Sequence, residues 1–328
     1  DKVWPTEFGQ RLEPWVLFTR AYWRGEKDDA ASDDQKEIDV AALEKAEEGV
    51  TFEKLTPEQT ARAPVRIRGL RKTFKNGVTA VDDLTVTFAP SQVSGLLGHN
   101  GAGKTTTISI LTGMLNASGG DAKINGRSIK TDMPTIRASL GICPQFDVLW
   151  PTLTVKEHLE LYAAFGGMPK KMIGREVIAA VNEVALSEKL AYKTGLLSGG
   201  QRRKLSLAIA FIGRPKVVFL DEPTSGMDPY SRRFTWDVIR RRAAKSSILL
   251  TTHFLDEAEI LSDRIAIMCK GRLRCLGSSV RLKSKYGSGY KISVSVGDDT
   301  HPEDPAALRV KNMFREGLGI QPSEENKS

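Results

Sequence analysis

Nine consecutive residues, Gly98-His99-Asn100-Gly101-Ala102-Gly103-Lys104-Thr105-Thr106, contain the pattern G-x-x-x-x-G-K-[ST]. Glycines at this density let backbone N–H groups converge on phosphate oxygens, and a helix opening at the end of the loop aims its positive end at the same point. In this pattern Lys104 reaches the β- and γ-phosphates and the Thr105 hydroxyl binds Mg²⁺. The apolar run Val93–Leu97 precedes the loop and a helical stretch, Thr107–Leu111, follows it. We read residues 98–106 as a site for a nucleoside triphosphate with Mg²⁺. A second group, Val217-Val218-Phe219-Leu220-Asp221-Glu222, places two carboxylates at the end of an apolar run. Alone it is often a solvated turn. With a phosphate loop upstream it looks like a Walker B motif, in which Asp221 holds Mg²⁺ and Glu222 polarises the attacking water. A third group, Leu197-Ser198-Gly199-Gly200-Gln201, lies 20 residues before Asp221. Opening a helix read as 201–212, it makes a second anion nest, and Gly213 with Pro215 ends that helix.

These groups need elements to hold them. Val93–Leu97, Val217–Leu220 and Ile248–Leu250 are short continuous apolar runs, as expected for parallel strands buried on both faces. Each ends at a polar or glycine-rich group, and ligands of open α/β sheets sit beyond the carboxyl ends of strands. The alternation from Val65, the turn signal Asn76-Gly77 and the run Val81, Leu84, Val86, Phe88 predict an antiparallel hairpin. Residues 152–195 read as mostly helical, with a capping box at Thr154 and Glu157 and a further helix over 176–190. A hairpin is expected around Cys269-Lys270-Gly271-Arg272, with Ile265–Met268 as its first strand.

Composition bounds the rest. The 328 residues are 40% hydrophobic and 27% charged, which excludes a wholly disordered chain and a fibrous repeat. Net charge is +8, suiting an anionic partner without choosing one. Residues 24–62 are acidic (net −6), so the remainder is +14, and this stretch reads as a solvated linker with transient helix at Ala41–Glu48. Before it, Trp4, Phe8, Trp15, Phe18, Tyr22 and Trp23 crowd into 23 residues, which fits either a packed strap or a membrane-interface segment. The longest uncharged stretch, Leu84–Gly103, holds Pro90 and four glycines and cannot span a bilayer. The chain starts at Asp1 without a signal-peptide pattern and reads as a soluble piece of something larger. Cys143, Cys269 and Cys275 have no CxxC spacing and are expected to be inert. His158 and His301 read as surface residues. The basic runs Arg202-Arg203-Lys204 and Arg240-Arg241-Arg242 read as solvated helix faces rather than nucleic-acid sites.

With these motifs in this order, the chain over 65–290 resembles the ATP-binding cassette (ABC) ATPases, whose signature is Leu-Ser-Gly-Gly-Gln shortly before Walker B. The resemblance implies a P-loop NTPase core with a mostly parallel sheet, an antiparallel β subdomain and an α-helical signature subdomain. It implies ATP and Mg²⁺ as ligands. Two cassettes stack head to tail in that family, so Ser198, Gly199, Gly200 and Gln201 would cap the ATP of a partner, either a second copy or the other half of one transporter. Phe74, 24 residues before Gly98, matches the aromatic that stacks on adenine. Gln145 matches the Q-loop that senses Mg²⁺ and meets transmembrane domains, Asp228 lies in the D-loop, and His253 matches the switch histidine at the γ-phosphate. Glu222, His253, Lys104 and Gln145 are then the catalytic set, and Thr105, Gln145 and Asp221 the metal set. The resemblance implies that the His99 position faces away from the phosphates, so no chemistry is assigned to it. Finer similarity is to the A subfamily, most like its first cassette. It rests on the P-loop run, Gly141-Ile142-Cys143-Pro144-Gln145, Arg203-Lys204-Leu205-Ser206, Asp228-Pro229-Tyr230-Ser231-Arg232-Arg233, Gly277-Ser278-Ser279, Lys285-Tyr286-Gly287-Ser288-Gly289-Tyr290 and Trp4-Pro5-Thr6-Glu7-Phe8-Gly9. It implies residues 1–62 as a juxtamembrane aromatic segment and linker, 63–290 as the ATP-binding domain and 291–328 as the start of a regulatory segment. The function implied is ATP hydrolysis coupled to transport, of lipid, at the cytosolic face of a membrane. The alternatives are a soluble ABC ATPase acting on ribosomes or DNA, and a cassette that binds ATP but barely hydrolyses it. Glu222 and His253 argue against the latter.

Overall fold

Short apolar runs become the buried strands of the fold in the computed structural model, which describes residues 51–286. In chain order, β1 (Thr51–Phe52) and a single capped turn, α1 (Pro57–Ala61), precede the hairpin β2 (Val65–Thr73) and β3 (Thr79–Phe88). β4 (Val93–Leu97) leads through the glycine loop into α2 (Lys104–Leu111). β5 (Gly119–Ile124), β6 (Arg127–Ser128), α3 (Met133–Ala138) and β7 (Leu140–Cys143) follow. A helical block comes next: α4 (Val155–Phe165), α5 (Lys170–Glu183) and α6 (Gly199–Phe211). β8 (Val217–Asp221), α7 (Pro229–Ala243), β9 (Ser247–Thr252), α8 (Leu255–Leu261), β10 (Arg264–Cys269), β11 (Arg272–Gly277) and α9 (Ser279–Tyr286) end the described chain.

The larger sheet has the order β1-β11-β10-β4-β9-β8-β7, parallel in each pairing except the β10–β11 hairpin. Its central strands carry apolar residues on both faces because both faces are covered. Val218 and Leu220 of β8 pack into a core with Leu159, Val181, Leu205 and Phe211 of the helical block. Val217 and Phe219, alternating with them, pack into a second core with Ile108, Leu111 and the inward residues of the small sheet, among them Ile67, Leu70 and Leu84. That small sheet, order β3-β2-β5-β6, is antiparallel. The α/β architecture expected of a P-loop NTPase is therefore present, with its parallel sheet between an antiparallel layer and a helical block.

Local chemistry explains where elements start. The Thr154–Glu157 capping box opens α4 as expected. The helix read over 176–190 starts earlier, behind Pro169, and stops at Glu183, where Ala185 takes a positive φ of 54°. A 3₁₀ turn, Ser187–Lys189, replaces its last residues. The β2–β3 turn departs from a two-residue primed turn. Only Gly77 has a positive φ there (81°), while the Asn76 side chain accepts the Val78 N–H at 3.1 Å. The acidic stretch is not free linker at its end. β1 pairs with β11, Glu53 accepts the Ser278 N–H at 2.7 Å, and Thr56 with Gln59 caps α1. The aromatic N-terminal segment, Ala41–Glu48, His301 and residues 291–328 lie outside the described residues.

Candidate active site

Strand register brings the chemistry together. Leu97 of β4 lies opposite Thr252 of β9, and Asp221 of β8 lies opposite Thr251. The residues that follow, from Gly98, Glu222 and His253, therefore emerge side by side at the carboxyl edge of the sheet.

The glycine loop is shaped by backbone that only glycine fits. Gly103 has φ 101°, and a Cβ there would lie 2.3 Å from the Ala80 carbonyl at the start of β3. At Gly98 a Cβ would lie 2.6 Å from the Met268 carbonyl. Gly101 takes φ 81° with open space around it. Exposed His99 and Asn100 form the crest, and the His99 carbonyl accepts the Ala102 N–H at 3.1 Å. α2 then starts at Lys104 without a side-chain cap or an acidic residue in its first turn, the kind of helix start that suits an anion. Thr106 sits in that first turn.

Lys104 is buried and folds its ammonium back over the loop. Nζ donates to the Gly98 carbonyl at 2.7 Å and the His99 carbonyl at 3.2 Å. Burial lowers its pKa, opposed by the charges of Glu222 and Asp221. Asp221 is also buried, and desolvation raises its pKa despite hydrogen bonds from Thr251 and Thr105. Thr105 Oγ1 donates to Asp221 Oδ1 at 3.2 Å, and Thr251 Oγ1 donates to the same oxygen. A hydroxyl and a carboxylate oxygen, without a larger His/Cys/Asp/Glu cluster among the described residues, fit a hard cation that keeps water and phosphate ligands.

Glu222 stands at the centre of the site. It is buried and holds a positive φ of 47°, a rare backbone for a glutamate. Its N–H is fixed by the Thr251 carbonyl and hydroxyl, each at 3.1 Å. Its carboxylate lies between two side chains, 3.0 Å from His253 Nδ1 and 3.4 Å from Gln145 Nε2. Six of the expected residues, Lys104, Thr105, Asp221, Glu222, His253 and Gln145, thus form one cluster. Phe74 is exposed in the β2–β3 turn, on the hairpin that meets the loop through Ala80, with Lys72 Nζ 5.4 Å from its ring centre.

The signature residues share no hydrogen bond with that cluster among the described residues. α6, capped by Ser198, starts at Gly199, two residues earlier than the sequence reading placed it. Ser198 Oγ accepts the Gln201 N–H at 3.3 Å and Gln201 Oε1 accepts the Ser198 N–H at 3.0 Å. Gly199 and Gly200 have open space where a side chain would project. Asp228 caps α7 by accepting the Ser231 N–H at 2.9 Å, which holds its carboxyl below the usual range.

Three readings from the sequence are corrected. Arg203 is not on a solvated face: it is 3% exposed and hydrogen-bonded throughout. Arg242 is also turned inward, paired with Glu183 and stacked over Phe211. His158 is 0% exposed, accepting the Trp150 N–H at 2.9 Å and meeting the Thr154 carbonyl at 2.9 Å. A further buried carboxylate went unseen. Glu257 on α8 accepts from Thr224 Oγ1 at 2.6 Å and Trp236 Nε1 at 3.1 Å, joining the turn after Glu222 to the element after His253. Cys143 is buried, which pushes its thiol up to about 11 and keeps it protonated.

A phosphate loop, a paired carboxylate and a histidine on adjacent parallel strands, with a separate Ser-Gly-Gly helix start, define an ATP-binding cassette. Residues 81–225 match the family model described as ABC transporter. The chain carries an ATP-binding cassette ATPase domain, and its relatives are members of the A family of ABC transporters. It is 41% identical over 357 residues to ABC transporter A family member 9 of Arabidopsis thaliana, covering 100% of this chain and 37% of that protein. It is 45% identical over 312 residues to the phospholipid-transporting ATPase ABCA3 of Homo sapiens, covering 94% of this chain and 18% of that protein. The chain thus spans well under half the length of these relatives. Among solved structures, the ATP-binding subunit of an ABC transporter superposes with TM-score 0.63 at 28% identity, covering 68% of this chain and 93% of that one. A dimeric ATP-binding cassette bound to ADP and Pi shares the fold at TM-score 0.61 and 21% identity, over 65% of this chain and 98% of that one.

Proposed function

We propose that this chain binds and hydrolyses ATP as one cassette of a membrane transporter, at the cytosolic face, with lipid as the cargo. The observation that carries the reading is the placement of Glu222 between His253 and Gln145, beside the Thr105–Asp221 pair. In this reading the Phe74 ring supports the adenine. Loop N–H groups from Gly98 to Thr106 hold the phosphates, and Lys104 turns its ammonium from the loop carbonyls to phosphate oxygens. Thr105, Asp221 and Gln145 would hold Mg²⁺, which would neutralise phosphate charge there. Glu222 takes the proton of the attacking water, and His253 keeps the carboxylate in place and faces the γ-phosphate. Ser198, Gly199, Gly200 and Gln201 serve a second cassette's nucleotide, with Asp228 near that seam. The lack of a hydrogen bond between these residues and the loop among the described residues, and the dimeric ADP-bound cassette of the same fold, support a site completed by two cassettes.

Membrane domains are proposed to dock beside Gln145. Exposed Phe146, Val148 and Trp150 follow it directly, an apolar run that a surface without a partner would not favour. No helix among the described residues is long and apolar enough to cross a membrane. Similarity to a plant ABC transporter and to a phospholipid-transporting ATPase supports transport over a role on ribosomes or DNA, and supports lipid as the cargo.

Two measurements test this. Base–aromatic stacking contributes roughly 1–3 kcal/mol, so Phe74→Ala should weaken ATP binding about 5- to 150-fold by equilibrium titration, and unchanged affinity would remove the base from Phe74. In vesicles holding the transporter that contains this cassette, ATP should drive a labelled phospholipid between leaflets. ATP hydrolysis with no movement of any phospholipid tested would overturn the choice of cargo.

A further inference from the structure

We propose that Arg203 is a positioning residue that sets Gln145 and Glu222 in register and so controls the hydrolytic step. The proposal rests on the reading that these two residues act on ATP. Arg203 lies five residues into α6 from the Ser198 cap, and its guanidinium runs between two other segments. Nε donates to the Pro223 carbonyl at 2.9 Å. Nη1 donates to the Pro144 carbonyl at 2.6 Å and to Asp147 Oδ1 at 3.2 Å. Nη2 donates to the carbonyls of Asp221 and Glu222, each at 2.7 Å. A guanidinium has five N–H donors in a fixed plane, and all five are used.

The acceptors are not scattered. Three are the consecutive carbonyls of the turn that carries Asp221 and Glu222. The fourth is the carbonyl immediately before Gln145, and the fifth is a carboxylate two residues after it. One rigid group therefore spans both backbones whose side chains meet at the Glu222 carboxylate. Ser206, one helical turn further along α6, donates to the same Asp147 oxygen at 2.8 Å and fixes that end. Glu222 needs this support because its positive φ is unfavourable for a side chain with a Cβ and persists only where its surroundings impose it. Thr251 pins its N–H and Arg203 pins its carbonyl. The neighbouring cations do other things: Arg202 donates to the Leu197 carbonyl at 3.1 Å, and Lys204 lies over Phe234.

Lysine keeps the charge but offers three donors on a compact ammonium and cannot bridge the two segments. A displacement of about 1 Å at a catalytic group can cost about a hundredfold in rate. Arg203→Lys in the 328-residue chain should thus lower kcat at least about tenfold, with KM and ATP affinity held within about threefold. Asp147→Asn weakens only one of the five Arg203 contacts, together with the Ser206 bond to the same oxygen, and should lower kcat less, with the same split. Gln145→Ala added to Arg203→Lys should cost less than Gln145→Ala alone, because alignment of Gln145 is already lost. A folded Arg203→Lys with unchanged kcat would overturn the proposal, as would loss of kcat and ATP affinity in equal measure. If Arg203→Lys fails to fold, Asp147→Asn decides: reduced kcat at constant KM supports the proposal, and wild-type kcat overturns it. The underlying reading fails separately, when Glu222→Gln leaves the parent rate unchanged.

Discussion

Glu222→Gln should reduce ATP turnover by about 10²–10⁴-fold while ATP still binds. A positioned general base contributes that range, and the amide has no comparable basicity. Little else changes. Glutamine matches the volume of this buried side chain, its carbonyl oxygen can accept from His253 or Gln145, and the backbone bonds from Thr251 and Arg203 remain. The effect on the metal pair is favourable. Glu222's charge is one of the influences raising the Asp221 pKa, after burial, so its removal lets Asp221 ionise more readily. Affinity for ATP with Mg²⁺ should stay within about threefold of the parent (~0.7 kcal/mol). A variant that retains more than about a tenth of the parent rate would show that another group takes the proton.

Lys104→Met should remove tight ATP binding without destabilising the empty protein. Charge-assisted hydrogen bonds contribute roughly 1.5–3 kcal/mol each, so losing one on the phosphates should weaken ATP at least about tenfold. Stability runs the other way from a simple loss of contacts. The pKa of Lys104 is lowered mainly by burial, so the folded chain holds the charged lysine less well than the unfolded chain does. That cost is in force below the depressed pKa and vanishes as pH rises above the unfolded value, where the lysine is neutral in both states. Methionine keeps the stem and removes the buried charge, leaving only the Gly98 and His99 carbonyls without their donor. Thermal unfolding at neutral pH should therefore show a Tm at or above the parent, beside the lost affinity. A Tm several degrees lower would mean the lysine braces the loop more than it burdens it.

Much of this site is legible in the sequence because three of its parts follow continuous apolar runs. Parallel pairing then brings the ends of β4, β8 and β9 together, and Lys104, Asp221, Glu222 and His253 arrive as neighbours. Gln145 is different. It follows a four-residue strand without a long apolar run, and only resemblance to a family singled it out. Arg203 was illegible as a charge pattern, since three basic residues in a row look alike whichever one points inward. Helical phase held the missing signal: Arg203 shares a face with Leu207 and Ala210, both buried. His158 is similar, three residues after buried Val155 on α4. The pairing of Thr51–Phe52 with Cys275–Leu276 had no local signal, because a two-residue strand is defined by a partner more than two hundred residues away. Glu257 likewise gains meaning only when folding brings Thr224 and Trp236 to it.

The most direct test of the central claim is the specific ATPase rate of this chain as a function of its concentration, in parallel with Glu222→Gln. A Glu222-dependent rate per molecule should climb with concentration, or on adding a second cassette where the partner is a different sequence, because the Ser198–Gln201 nest is proposed to act on another molecule's nucleotide. A rate per molecule that is constant with concentration, unaffected by a second cassette and unchanged by Glu222→Gln would contradict it.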